Sequence, residues 1–157
     1  VSAEQRREEQ NDMWNEIVRD ICCVSVFAYL AVRDRREMEL SRRELSITGI
    51  VLFLAGFFFV AGIESRFAGL AYGAIVVVFC IFSKEALGVA DGIIILVYGV
   101  AFGLYEAAAF SFLAMVAAAL VSVVLLVIRR AERKTRLPFF PFLLFGYILL
   151  RVFVYSM

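Results

Sequence analysis

"GVADGIIILVYGVAFG", Gly88–Gly103, puts one carboxylate, Asp91, directly ahead of an almost unbroken apolar run. Eleven or more such residues in a row, with similar runs on either side, decide the fold. Working outward, apolar stretches predict helices over about 17–33, 45–63, 67–82, 88–104, 107–128 and 139–155. At a rise of about 1.5 Å per residue each can cross a hydrocarbon core of roughly 30 Å, the shorter ones with their flanking residues. The 157 residues are 63% hydrophobic and 20% charged, and the excess is clustered rather than spread. The expectation is therefore an all-α polytopic membrane protein with about six transmembrane helices. Alternating polar and apolar residues of the kind a membrane β-barrel needs are missing.

Residues 1–20, "VSAEQRREEQNDMWNEIVRD", are polar and of mixed charge. They read as a separate segment, an interfacial helix with Trp14 and Ile17 at the headgroup level. The membrane domain is expected over 21–157. The first segment carries acids as well as bases, and no clean small-residue cleavage site follows it, which argues against a removable signal peptide.

Lys and Arg gather in alternate linkers. Arg33, Arg35, Arg36, Arg42 and Arg43 lie in the first, Lys84 in the third, and Arg129, Arg130, Arg133, Lys134 and Arg136 in the fifth. The second and fourth offer only Arg66. Linkers one, three and five are thus expected at the cytoplasm, with both termini outside.

The chain contains no His. A Ser–His protease lacks its base and an H-E-x-x-H metalloprotease lacks its ligands. Cys22, Cys23 and Cys80 form no C-x-x-C pair and read as small buried apolar residues. No metal, cofactor or nucleic acid is expected. Gly69 with Gly73, and Gly99 with Gly103, have the spacing of close helix packing.

Of the acids on the basic side, Glu37, Glu39, Glu44, Glu85 and Glu132 sit among basic residues or in linkers, where charge is solvated. Asp91 alone precedes a long apolar run. Asp34 closes the first helix in "FAYLAVRDRR", on the same face by the topology above. Two carboxylates brought together there would share a proton, one acting as base on water and the other as acid toward a carbonyl. Two plainer roles stay open: Asp34 in a surface ion pair, and Asp91 as a helix cap. A binding or transport subunit using both acids as ion or proton ligands is the alternative from another class.

Three stretches together resemble the type IV prepilin and preflagellin peptidases, membrane aspartic proteases. They are "VRDRREMEL" after the first core helix, "LGVADGIIIL" in place of a G-x-G-D signature, and "LPFFPFLLFG" at the last helix. The resemblance covers most of the chain from about residue 21. It implies that Asp34 and Asp91 are the catalytic pair, that Gly88 is the first signature glycine, and that Pro138 and Pro141 shape the start of the last helix. Pro in a first turn is equally a plain helix start. Ala90 stands where the second signature glycine is usual, and alanine disfavours positive φ; a catalytically inactive relative acting in assembly stays open for that reason. "EMELSRREL" also lacks the family's usual proline. The resemblance further implies a prepilin-like substrate with a short basic leader, cut at the cytoplasmic boundary, and, without the extra paired-cysteine loop of the large members, no methyl transfer.

Overall fold

The computed structural model describes residues 3–37, 41–57, 63–83, 88–128 and 139–156. Among these, six helices follow one another: α1 (Ala3–Glu37), α2 (Arg42–Phe57), α3 (Ile63–Ser83), α4 (Val89–Phe102), α5 (Leu104–Val127) and α6 (Phe140–Ser156). No strand occurs among the described residues. The all-α expectation holds. Two helices, α3 and α5, are long and apolar enough to cross a membrane, and α4 and α6 are apolar but shorter. Large side chains such as Ile75, Phe82, Phe112, Leu120 and Val127 are more than half exposed. A continuous apolar exterior of that kind suits lipid rather than water as the solvent.

Helix boundaries differ from expectation mainly at two N-termini. Helix α1 begins at Ala3, so its 35 residues run unbroken through the polar segment. Nothing there interrupts it: the stretch has no Gly or Pro and is rich in Glu, Gln and Arg, which favour helix. Helix α3 starts at Ile63 rather than 67, with Glu64 in the first turn where the helix dipole favours an acid. The second helix is expected to run to Ile63; residues 58–62 lie outside the described residues, and Ile63 itself opens α3 instead.

Helix α4 is the axis. It packs on α3, α2 and α5, while α6 joins α5 to α1, and α1 closes on α2. Glycines permit the approach. A side chain at Gly69 would run into the Gly99 carbonyl, one at Gly73 into the backbone of Leu96, and one at Gly56 into Ala101. In a bilayer, where apolar attraction between helices is weak, such backbone contact is what draws helices together. Gly103 has a different task from the packing role its spacing suggested. Its φ of 90° lets the chain leave α4 and begin α5 at the next residue, and a Cβ there would collide with Ser65 of α3. Cys23 and Cys80 are buried, as expected, whereas Cys22, about 100° round the helix from Cys23, faces outward.

Two clusters hold the outer helices to this axis. Phe27 of α1, Tyr98 of α4, Phe110 of α5 and Tyr147 of α6 form a ring cluster, with centroids 4.6 Å apart for Tyr98–Phe110 and 5.2 Å for Phe27–Phe110. Below it lies a charged network. The Arg151 guanidinium donates to both oxygens of Glu106, at 3.3 and 3.0 Å, and lies 3.3 Å from the Asp20 carboxylate. Asp20 also accepts from Arg19, Tyr147 and Tyr155, and Glu106 from Tyr98. Two cations and two anions balance, and among the described residues no buried side-chain polar atom lacks a partner. This satisfies the condition under which charge is tolerated at low dielectric.

Gly69→Leu is expected to lower stability by about 1–3 kcal/mol or more, read from thermal unfolding in detergent. Gly49→Ala, whose new carbon would meet Val97 at an ordinary 3.7 Å, should leave it unchanged. Arg151→Met should cost about 3–5 kcal/mol by stranding Asp20 and Glu106. Adding Asp20→Asn and Glu106→Gln should restore most of that loss; failure of the triple variant to recover would show that packing, not charge, is what Arg151 supplies.

Candidate active site

Three helix termini meet at the end of the bundle opposite the Arg151 network. The last turns of α1 carry Asp34. The first turn of α4 carries Asp91, and α6 starts at Phe140.

Asp91 is the third residue of α4 and is buried, only 6% exposed. Gly88 is the cap, in extended conformation at φ −69° and ψ 144°, and its N–H donates to Asp91 Oδ2 at 3.0 Å. The capping role left open by the sequence is therefore real. It does not exhaust Asp91, because the Asp34 charge acts on it from another helix. The Cys80 thiol of α3 lies near this turn, 3.0 Å from where a Cβ on Gly92 would sit, within reach of the Asp91 charge.

Asp34 is half-buried. Its Oδ2 accepts the main-chain N–H of Phe140 at 3.3 Å, a bond across 106 positions of sequence. The Phe139 N–H acts on it as well. Phe139 caps α6, since its carbonyl takes the N–H of Leu143 at 3.1 Å. The first amides of any helix lack an internal partner. Here Asp34 supplies one, and Pro141, in the first turn, has no N–H to satisfy. Asp34 is thus held from α6, while Asp91 is held by its own cap.

The expected support residues are placed as follows. Gly88 holds Asp91. Ala90 lies inside α4 with ordinary helical backbone and packs partly against the core. No positive φ is needed there, so alanine in place of glycine carries no strain. Pro141 is the second residue of α6. Pro138, Glu39 and Glu85 lie outside the described residues.

Glu44 differs from its reading as solvated charge. Its carboxylate accepts from Arg33 at 2.9 Å, from Tyr29 at 3.2 Å and from the Ser41 N–H at 3.1 Å. Lying just ahead of the apolar run from Leu45, it is held below the usual carboxylate range, first by the Ser41 amide and then by Arg33. The clamp ties the Asp34 end of α1 to the start of α2. Sequence reasoning also passed over Arg151, although an Arg in the middle of "YILLRVFV" is a strong signal in itself.

A cavity of about 440 Å³ opens between α1 and α6, lined by Val24, Ile148, Val152 and Tyr155 with Asp20 and Arg151. It belongs to the charged-network end and not to the aspartate pair. Among the described residues no cluster of His, Cys, Asp or Glu could hold a metal ion.

An all-helical membrane protein with two acids gathered at the ends of three helices is the class that these observations define. The type IV leader peptidase family matches residues 21–123, close to two thirds of the chain, and the chain belongs to that family. The match takes in Asp34, Gly88 and Asp91 and stops ahead of α6. No curated protein and no solved structure matches the chain.

Asp34→Cys with Asp91→Cys, in a background with Cys22, Cys23 and Cys80 replaced by Ala, should be joined within one chain by a short bifunctional thiol reagent. The crosslink is read by mass after digestion. Two unlinked thiols would separate the helices that are here brought together.

Proposed function

We propose that this chain is an intramembrane aspartic endopeptidase. It removes the short basic leader from prepilin-like subunits, whether type IV pilins, pseudopilins or flagellin-like proteins, at the cytoplasmic face of the prokaryotic cell membrane. The observation that carries this reading is the meeting of Asp34 and Asp91 at one bundle end, on a chain of a leader peptidase family. Membership supplies the general activity. The pair supplies a chemistry that runs without imidazole, and the chain has none.

The basic linkers support the orientation. In sequence, Arg33 directly precedes Asp34 and Arg42 opens α2, while Arg129, Arg130 and Lys134 fall in the linker after α5. A substrate helix would lie in the bilayer beside the bundle, its leader in the cytoplasm. Its scissile peptide must be extended there, since an intact helix hides its backbone. A site at the membrane boundary gives both water and unwound chain. No cofactor takes part, and cleavage proceeds without methyl transfer.

The test is direct. The purified protein in liposomes, mixed with a prepilin-like subunit, should yield a product shorter by the leader mass. Asp34→Ala and Asp91→Ala should each depress the rate by roughly 10²–10⁴-fold or more. Undiminished cleavage by the double alanine variant would overturn the assignment of the pair. Uptake of an ion across the liposome with no cleavage would favour the transport reading.

A further inference from the structure

The two aspartates are not equivalent. Asp91 is nearly sealed from solvent, with one main-chain donor from its own cap. Asp34 is half-open, and its donors are the unpaired first amides of a different helix. Burial disfavours the charged form of a carboxyl, and hydrogen bonds from N–H groups favour it. Helix dipoles do not reverse the order. Each acid sits at a helix N-terminus, Asp91 on α4 and Asp34 on α6, and the effect fades within a turn. The C-terminal turn of α1 counts against charge on Asp34, but a surface-exposed dipole effect is small beside burial of a whole carboxyl. Among the described residues, other titratable groups near the pair include Cys80 of α3 and the Arg33–Glu44–Tyr29 clamp joining α1 to α2.

We propose that the pair works in a fixed sense: Asp91 carries the shared proton and is the acid, Asp34 is the base, and the backbone N–H of Phe140 is the positioning group that keeps it so. This rests on the reading of the pair as a peptidase site. Asp34 takes a proton from water as the water oxygen bonds to the scissile carbonyl carbon. Asp91 gives its proton to the carbonyl oxygen, and a neutral tetrahedral diol results. On collapse the C–N bond breaks and the leaving nitrogen takes the proton from Asp34. Asp91 recovers one from a hydroxyl of the diol, and both acids return to their starting states. The face of Asp34 left open to solvent is where water would be drawn, and the sealed Asp91 can hold a proton without losing it to bulk.

Phe140→Pro deletes the N–H at the first helical position, where Pro is well accepted, and Phe140→Ala removes the ring but keeps the N–H. Carboxyl ¹³C signals of Asp in micelles, assigned with Asp34→Asn and Asp91→Asn, give the order of titration. In the unaltered protein Asp34 should ionise first as pH rises and Asp91 last. In Phe140→Pro the Asp34 step should move up by roughly half to one pH unit, with no such shift in Phe140→Ala. The ¹⁵N shift of the Phe140 amide should follow the Asp34 step in the unaltered protein, a readout that survives if the Pro variant does not fold. Asp91 ionising first, equal effects of Pro and Ala, or a Phe140 amide blind to Asp34 would each overturn the proposal. Correct titration with no cleavage would instead remove the peptidase reading and leave the asymmetry standing.

Discussion

Backbone contact between α3 and α4, through Gly69, Gly73 and Gly99, is the constraint on which the rest depends. Apolar side chains gain little by leaving lipid for one another, so helix association needs atoms that approach closely. The glycines provide that on two sides of α4, with Gly56 and Ala101 joining α2 to it. A short helix of fourteen residues is thereby made the centre of the molecule. Once it is central, its first turn is buried, and so is Asp91. The acid is sealed because the glycines of α2, α3 and α4 let neighbouring helices close around its own.

The two ends of the bundle treat charge in opposite ways. At one, Arg19 and Arg151 neutralise Asp20 and Glu106, and among the described residues no buried side-chain polar atom lacks a partner. A network of that kind fixes the register of the helices that carry it. At the other, burial and the amides of Phe140 and Phe139 act on Asp34, and burial, the Asp34 charge and the Gly88 amide act on Asp91. Two neighbouring acids relieve their repulsion by retaining a proton. That difference distinguishes an ion cluster held by paired charges from a pair of acids held by burial and main-chain amides.

Much of this was legible in the sequence. Apolar runs gave six helices, because in lipid the backbone must satisfy itself and length is the governing variable. Asp91 stood out because nothing polar follows it, and Asp34 through the resemblance and the shared face. The parts that stayed hidden depend on contacts distant in sequence. Glu44 looked like one of several linker acids; only the folded α1–α2 turn shows that Ser41, Arg33 and Tyr29 all point at it. Gly103 shares its spacing with a packing glycine, yet spacing carries no information about φ. Ala90 looked like a departure that could strain the backbone, and the helix beginning one residue earlier, at Val89, removes the need for glycine. Glu106 has no local mark of partnership, and Asp20 none beyond its neighbour Arg19, since their common partner lies at position 151.

Helix α6 links the two ends, and that link explains why a charged network far from the acids matters to them. Its first amides hold Asp34, and eleven residues later, about 16 Å along the axis, Arg151 is fastened to α1 and α5. Gly146, between them, presses against the backbone of α5 at Phe110 and Ala114, where any side chain would be refused. A helix pinned at its far end and at its middle can neither slide nor turn, so its N-terminus is delivered to one place. An N–H bond of 3.3 Å tolerates little further drift before it ceases to act. The family match ends before this helix, yet one of the two acids takes its orientation from it. Position within the fold, rather than membership of a motif, is what makes α6 part of the site.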